Sequence, residues 1–122
     1  MGDLTFVHDS TGLVIGPGEP RPDLCIVVNN DDGGAIFGLL EQGAPEHAGA
    51  FERIFGTPHG TDLAALCSAS ATPYERVTTP TQLAAALAPR VGIRVIEART
   101  DRRGARTLHA RLREAVAACL TP

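Results

Sequence analysis

The sequence is poorest in lysine and in aromatic residues. All 11 basic residues are arginine, tryptophan is absent, and tyrosine occurs once. Without lysine the chain has no G-x-x-x-x-G-K-[ST] loop of the kind that holds nucleotide phosphates. Few aromatic side chains leave few platforms on which nucleic-acid bases can stack. A stand-alone phosphate- or nucleotide-binding module and, less favoured, a nucleic-acid-binding domain therefore remain only as alternative functions.

Long apolar runs and closely spaced cysteines are also missing. No run of 18 or more apolar residues exists, and the start MGDLTFVHD lacks the basic head and apolar core of a signal peptide. We therefore expect a cytoplasmic protein with no membrane partner. The three cysteines, Cys25, Cys67 and Cys119, are far apart and have apolar neighbours, which predicts buried reduced thiols instead of disulfides or a zinc site.

The composition that is present suits one globular domain. The chain has 122 residues, 43% of them hydrophobic, so a single domain over residues 1–122 is predicted. Charge is unevenly spread: residues 1–60 carry nine acidic side chains and two arginines, whereas residues 61–122 carry five and nine. An acidic half suits a cation. The arginines of the second half are interpreted as a solvated helix surface.

Strand and helix patterns alternate along the chain. The predicted strands are Leu24–Asn29, an apolar run typical of a buried parallel strand, then Tyr74–Thr78 and Ile93–Ala98. One helix is predicted from an N-cap at Thr61 to before Pro73, and a second from an N-cap at Thr79 to Pro89. This order predicts an α/β fold with a mostly parallel sheet flanked by helices.

A last helix is predicted near the end of the chain. Its apolar residues recur at helical spacing and predict one buried face, formed by Ala105, Leu108, Leu112, Val116 and Cys119.

The stretch VVNNDDGGAIF, residues 27–37, holds the densest group of oxygen ligands. It follows the first strand and precedes the helix-like IFGLLEQ, where ligands sit in parallel sheets. Asp31 and Asp32 offer carboxylates, and Gly33-Gly34 allows a sharp turn that exposes backbone groups. Oxygen ligands suit Mg²⁺, although an ordinary Asx/Gly turn would have the same composition.

Three motifs resemble a known family. Gly2-Asp3 near the start, Asn29-Asn30 after 27 positions counted from Asp3 to Asn30, and FGTPHG at residues 55–60 occur in this order. The first two resemble the Gly-Asp-Gly and Asn-Asn motif of thiamine-diphosphate enzymes, with Leu4 in place of the last glycine. The combination looks like one branch of that superfamily, the 2-succinyl-5-enolpyruvyl-6-hydroxy-3-cyclohexene-1-carboxylate synthases of menaquinone biosynthesis.

The resemblance implies a metal site. Its ligands would be Asp3, Asp31 and the backbone carbonyl of Gly33, binding Mg²⁺ or Mn²⁺ together with the diphosphate. Counting forward from Asp3 favours Asn30 as the second ligand, whereas counting back from Gly-Gly-x-Ile-Phe favours Asp31. Asp31 is preferred because an extra residue is more easily absorbed in the preceding Pro/Gly loop than inside a metal loop.

The resemblance also implies the cofactor contacts and the reaction. Ile36, Phe37 and Leu40 would line the cofactor and substrate pocket, although the first turn of a core-facing helix would have the same pattern. The implied reaction is a transferase reaction in which 2-oxoglutarate is decarboxylated and the product is added to isochorismate. The residues that would contact thiamine diphosphate are Gly2, Asp3, Leu4, Asn30, Asp31, Gly33, Gly34, Ala35 and Ile36.

The activating glutamate is implied to lie outside this chain. In the family it belongs to the pyrimidine-binding domain of a partner subunit, within a homo-oligomer (dimer or tetramer) of much longer chains. The chain would then be the C-terminal part of the diphosphate-binding domain, truncated at its N-terminus, with no catalytic residue and no activity of its own. Among His8, His47, His59 and His109, only His59 lies in a family-like motif.

Overall fold

The structure is a computed structural model that describes residues 1–120. The chain divides into two compact units. The first unit comprises residues 1–30 and 59–100, and the second comprises residues 31–58 together with the segment that begins at Asp101. The single domain expected over residues 1–122 stays a prediction.

The first unit is built on a three-stranded sheet, β1 (Leu24–Asn30), β2 (Tyr74–Val77) and β3 (Ile93–Arg99). The strand order is β1-β3-β2, and both pairings are parallel. All three predicted strands are present with ends that differ by one residue. The predicted α/β fold with a parallel sheet is therefore confirmed.

Three helices belong to the first unit: α1 (Asp3–His8), α3 (Leu63–Ala69) and α4 (Pro80–Ala86). Thr79 caps α4 as predicted, in a capping box with Gln82. The cap predicted for α3 at Thr61 is wrong by one residue. The carboxylate of Asp62 accepts the backbone N–H groups of Ala64 and Ala65 at 2.9 and 3.2 Å. Its negative charge also suits the positive end of the helix dipole.

The sheet of the first unit is covered on both faces. Because neighbouring strand residues point to opposite sides, Val95 and Ile96 enter different clusters. Val95 packs with a larger cluster that includes Phe6, Leu63 and Cys67, and Ile96 packs with a smaller one on the other side. Each fully buried apolar side chain contributes about 1.5–3 kcal/mol, so these clusters are the main source of stability in this unit.

The three cysteines differ in burial. All are free thiols; Cys67 is buried and Cys25 is partly buried, but Cys119 is exposed, so its predicted burial is wrong. Burial raises the pKa of the Cys67 thiol, with a smaller contribution from the negative charge of Glu97.

The second unit consists mostly of short turns. It contains α2 (Ala48–Phe51), the 3₁₀ turns Ala35–Leu39, Glu41–Gly43 and Pro45–His47, a π-helical turn at Glu52–Gly56, and α5 (Ala105–Leu120). The helix-like pattern IFGLLEQ therefore forms 3₁₀ turns and not an α-helix. A Cβ atom at Gly43 would lie 2.4 Å from the carbonyl oxygen of Gly38, so glycine at position 43 lets the chain fold back tightly on itself.

Helix α5 is present, but its predicted buried face is wrong. Leu108, Leu112 and Val116 are 55%, 53% and 58% exposed, Cys119 is exposed, and no residue of α5 is buried in the part of the chain that the structure describes. The helical spacing of apolar residues specifies an amphipathic helix, but it does not supply a surface that covers the apolar side.

Candidate metal and cofactor site

The turn after β1 requires glycine at two positions. Asp32 and Gly33 have φ angles of 63° and 136°, and Gly34 donates its N–H to the carbonyl oxygen of Gly56 at 2.8 Å. A Cβ atom at Gly33 would lie 1.9 Å from that same oxygen, and one at Gly34 would lie 2.2 Å from the carbonyl oxygen of Phe55. The glycines thus allow the turn to lie directly against the backbone of residues 55–56.

Arg102 holds this turn within the second unit. Its guanidinium donates hydrogen bonds to the carbonyl oxygens of Asp31, at 3.1 Å, and Asp32, and it forms an ion pair with Glu52. The interpretation of Arg102 as part of a solvated arginine face is wrong. Its partners are backbone carbonyls about 70 residues away in sequence, which no local pattern indicates.

In the first unit, Asn30 is buried and its amide is used at both ends. The side-chain nitrogen donates to Glu97 Oε1 at 2.7 Å, and the side-chain oxygen accepts from Arg99 at 2.8 Å. The carboxylate needs a donor and the guanidinium needs an acceptor, so the two neighbours fix the orientation of the amide.

Glu97 is the centre of a buried polar cluster that the sequence analysis missed. It lies on the central strand β3 with no exposed surface, and it accepts hydrogen bonds from Asn30, Tyr74 and Arg76. Burial, followed by the hydrogen bond to Glu97, raises the pKa of Tyr74 to about 12. The bond to Glu97 also raises the pKa of Arg76. A single acid inside the apolar run IRVIEA was the available signal, because a charge within a buried strand needs partners.

Asp3 and His59 lie together in the first unit. Asp3 begins α1 and is 2% exposed. One of its carboxylate oxygens accepts the N–H of Leu4 at 2.7 Å, and the other lies 3.3 Å from Nε2 of His59. Nδ1 of His59 accepts the N–H of Thr61 at 3.0 Å. The histidine singled out by its motif is thus a direct neighbour of the first predicted metal ligand, whereas His8, His47 and His109 are exposed.

The three predicted pocket residues do not form a core. Ile36, Phe37 and Leu40 are 67%, 38% and 48% exposed, so the alternative reading as a core-facing helix turn is wrong. Phe37 keeps one aromatic neighbour, Phe55, with the ring centroids 5.7 Å apart.

Close relatives of the chain share one name. No family model matches. A protein of Rhodococcus erythropolis is 62% identical over 114 residues, one of Saccharopolyspora erythraea is 57% identical over 120, and one of Nocardia farcinica is 60% identical over 119. Each is named 2-succinyl-5-enolpyruvyl-6-hydroxy-3-cyclohexene-1-carboxylate synthase. The chain is therefore highly similar, over nearly its whole length, to a part of these synthases.

The similarity covers nearly all of this chain and a small share of each relative. The three alignments include 93%, 98% and 96% of the chain but only 21%, 22% and 22% of the relatives. The chain thus spans about a fifth of the length of these enzymes. The resemblance inferred from the three sequence motifs is confirmed.

The residues predicted to contact thiamine diphosphate are divided between the two units. Gly2, Asp3, Leu4 and Asn30 belong to the first, and Asp31, Gly33, Gly34, Ala35 and Ile36 to the second. Among residues 1–120, no group of three or more His, Cys, Asp or Glu side chains could hold a metal ion. The predicted ligands are instead two carboxylates and a backbone carbonyl, a donor set made only of the hard oxygens that Mg²⁺ prefers.

A helix that crosses a bilayer must be about 20 residues long and mostly apolar. None of the helices within residues 1–120 has both the length and the apolar character needed to cross a bilayer.

Proposed function

We propose that this chain is the diphosphate-binding part of a 2-succinyl-5-enolpyruvyl-6-hydroxy-3-cyclohexene-1-carboxylate synthase and binds thiamine diphosphate through Mg²⁺ or Mn²⁺. The observation that carries this proposal is the glycine-dependent turn with two adjacent carboxylates directly after β1, in a chain up to 62% identical to such synthases. Ligands of parallel α/β sheets bind at this end of the strands.

The proposed metal ligands are Asp3, Asp31 and the carbonyl oxygen of Gly33. Asn30 is the less favourable second ligand, because its side-chain oxygen already accepts a hydrogen bond from the guanidinium of Arg99. Bringing Mg²⁺ to that oxygen would place two cations on one acceptor. For Asn30 to be the ligand, its side-chain oxygen would therefore have to exchange Arg99 for the cation.

The acidic composition of the turn explains why a metal is needed. Asp31 and Asp32 would repel a diphosphate directly, whereas a divalent cation bound to a carboxylate attracts it. When bound, thiamine diphosphate supplies the decarboxylation and carbon–carbon bond-forming chemistry of this enzyme class. The exposed side chains of Ile36, Phe37 and Leu40 are proposed to contact the cofactor and the substrates, 2-oxoglutarate and isochorismate.

The test is a cation titration in the presence of thiamine diphosphate. Mn²⁺ replaces Mg²⁺ so that free and bound ion can be separated by electron paramagnetic resonance. We expect Asp3→Ala and Asp31→Ala to lower Mn²⁺ affinity by at least tenfold, and Asn30→Ala to lower it less. Glu19→Ala removes an exposed acid of the first unit and serves as the matched control. Unchanged affinity in all three site variants would refute the proposed site, and a larger loss for Asn30→Ala would identify Asn30 as the ligand.

We further propose that the 122-residue chain has no decarboxylase activity alone. The chemistry needs a carboxylate beside the aminopyrimidine ring, and Asp3 and Asp31 are assigned to the metal. Glu97 is buried and occupied by three donors. The measurement is CO₂ release from 2-oxoglutarate with thiamine diphosphate and Mg²⁺. Turnover above the rate of the cofactor alone, in protein free of host synthase, would show that the activating carboxylate lies in this chain.

A further inference from the structure

The imidazole of His59 contacts Asp3, and its two nitrogens have different partners. Nδ1 accepts the backbone N–H of Thr61 at 3.0 Å, and Nε2 lies 3.3 Å from Asp3 Oδ2. A nitrogen that accepts an N–H carries no proton, so the ring proton is assigned to Nε2. Nε2 then carries the ring proton and has no lone pair to offer a metal ion.

Gly60 makes this arrangement possible. Its φ of 57° lies in the left-handed region, which returns the N–H of Thr61 to the ring two residues earlier. The side chains of His59 and Asp3 are 12% and 3% exposed, so the contact is largely shielded from water. In such surroundings a carboxylate depends on nearby protein groups, and here the N–H of Leu4 donates to one oxygen while the imidazole lies against the other.

We propose that His59 is a positioning residue that orients Asp3 for the metal ion, and that it is not itself a metal ligand. This inference rests on the function proposed above. Leu4 holds one carboxylate oxygen by a hydrogen bond and the imidazole lies 3.3 Å from the other, so the carboxylate has less rotational freedom to lose when the cation binds. In many metal sites the imidazole binds the metal and a carboxylate orients the imidazole. Here the roles are reversed, because Asp3 would bind the metal and His59 would orient Asp3.

The first experiment measures Mn²⁺ affinity with thiamine diphosphate for the 122-residue chain and two variants. His59→Ala removes the imidazole that contacts Asp3, and we expect the Mn²⁺ affinity to fall by about 10–100-fold. His59→Gln places an amide N–H near the position of Nε2 and should recover most of the loss. His8→Ala, at an exposed histidine of the same unit, is the matched control and should bind as wild type does. Amide NMR spectra establish that each variant is folded.

The second experiment separates a positioning residue from a ligand. Electron spin-echo modulation of bound Mn²⁺ detects directly coordinated imidazole nitrogen, and we expect no such coupling. Long-range ¹H–¹⁵N spectra of the metal-free chain should show His59 with its proton on Nε2. Imidazole coupling to Mn²⁺, or a proton on Nδ1, would overturn the inference.

The two proposals fail in different ways. If the wild-type chain binds no Mn²⁺ with thiamine diphosphate, the proposed function is refuted and the positioning role is refuted with it. If the wild-type chain binds and a folded His59→Ala variant binds equally well, only the positioning role is refuted.

Discussion

The two units of this chain are stabilised by different kinds of interaction. The first unit buries ten apolar side chains around its parallel sheet. In the second, the only fully buried residues among 31–58 and 101–120 are Gly33, Gly34 and Gly56. Arginines there contact backbone carbonyls instead: Arg102 those of Asp31 and Asp32, and Arg106 those of Gly38 and Leu40.

This difference shows how much of its apolar surface each unit buries by itself. Strands with helices on both faces bury their own apolar surface, whereas the apolar side of α5 stays exposed in the described chain. The second unit thus keeps its turns in place through directional hydrogen bonds, which define geometry well but each contribute only about 0.5–1.5 kcal/mol. The proposed cofactor contacts of residues 31–36 lie in this less buried unit.

The largest expected contrast compares one leucine from each unit. Leu63 has no exposed surface, so Leu63→Ala should lower the free energy of unfolding by about 2–5 kcal/mol. Leu112 is 53% exposed, so Leu112→Ala should change it by less than about 0.5 kcal/mol. Urea denaturation followed by circular dichroism measures both. A loss of several kcal/mol for Leu112→Ala would show that the face of α5 is covered in solution.

A second contrast concerns the buried acid of the first unit. Glu97→Gln keeps the shape of the side chain but replaces one acceptor oxygen with an NH₂ group that would face the neighbouring donors. We therefore expect the free energy of unfolding to fall by about 1–3 kcal/mol. Glu75→Gln, on the neighbouring strand β2, changes an exposed acid in the same way and is the control. The same urea titration applies. Equal, small effects for both variants would mean that the cluster around Glu97 does not stabilise the sheet.

Arg106→Ala provides a smaller effect in the second unit. The guanidinium of Arg106 donates to the carbonyl oxygens of Gly38 and Leu40 at 3.0 and 2.8 Å. We expect the loss of these bonds to lower the free energy of unfolding by about 1 kcal/mol. Arg113→Ala, farther along α5 on an exposed position, should have almost no effect. Hydrogen exchange of the amides of residues 35–43 is the direct measurement. Unchanged exchange in Arg106→Ala would contradict the role given to arginine in this unit.

The last contrast is a titration confined to the first unit. Tyr74 is the one tyrosine of a chain without tryptophan, so phenolate absorbance reports on it alone. Its pKa, raised from 10.0 to about 12, means that the folded state binds the phenolic proton more tightly. The associated stability is complete below pH 10 and is lost as the pH rises from 10 to about 12. We expect Glu97→Gln to lower the pKa of Tyr74. Titration of Tyr74 near pH 10 in the folded wild-type chain would contradict its contact with Glu97.

Much of the fold follows from local sequence patterns. Short apolar runs predict β1 and β3 to within one residue, and Thr79-Pro80 predicts the start of α4, because strand burial and helix capping depend on residues close together in the chain. The glycine pair at 33–34 similarly predicts the sharp turn. The resemblance to the synthases follows from three short motifs and their order, and the relatives confirm it.

Other features depend on residues far apart in sequence and only the tertiary structure decides them. His59 meets Asp3 across 56 positions and Glu97 meets Asn30 across 67. Parallel strands bring such residues together only through long crossover connections, so no local spacing encodes the contact. Helix α5 shows the converse: its sequence determines an amphipathic helix, but burial of its apolar side requires an opposing surface, and the described residues do not provide one.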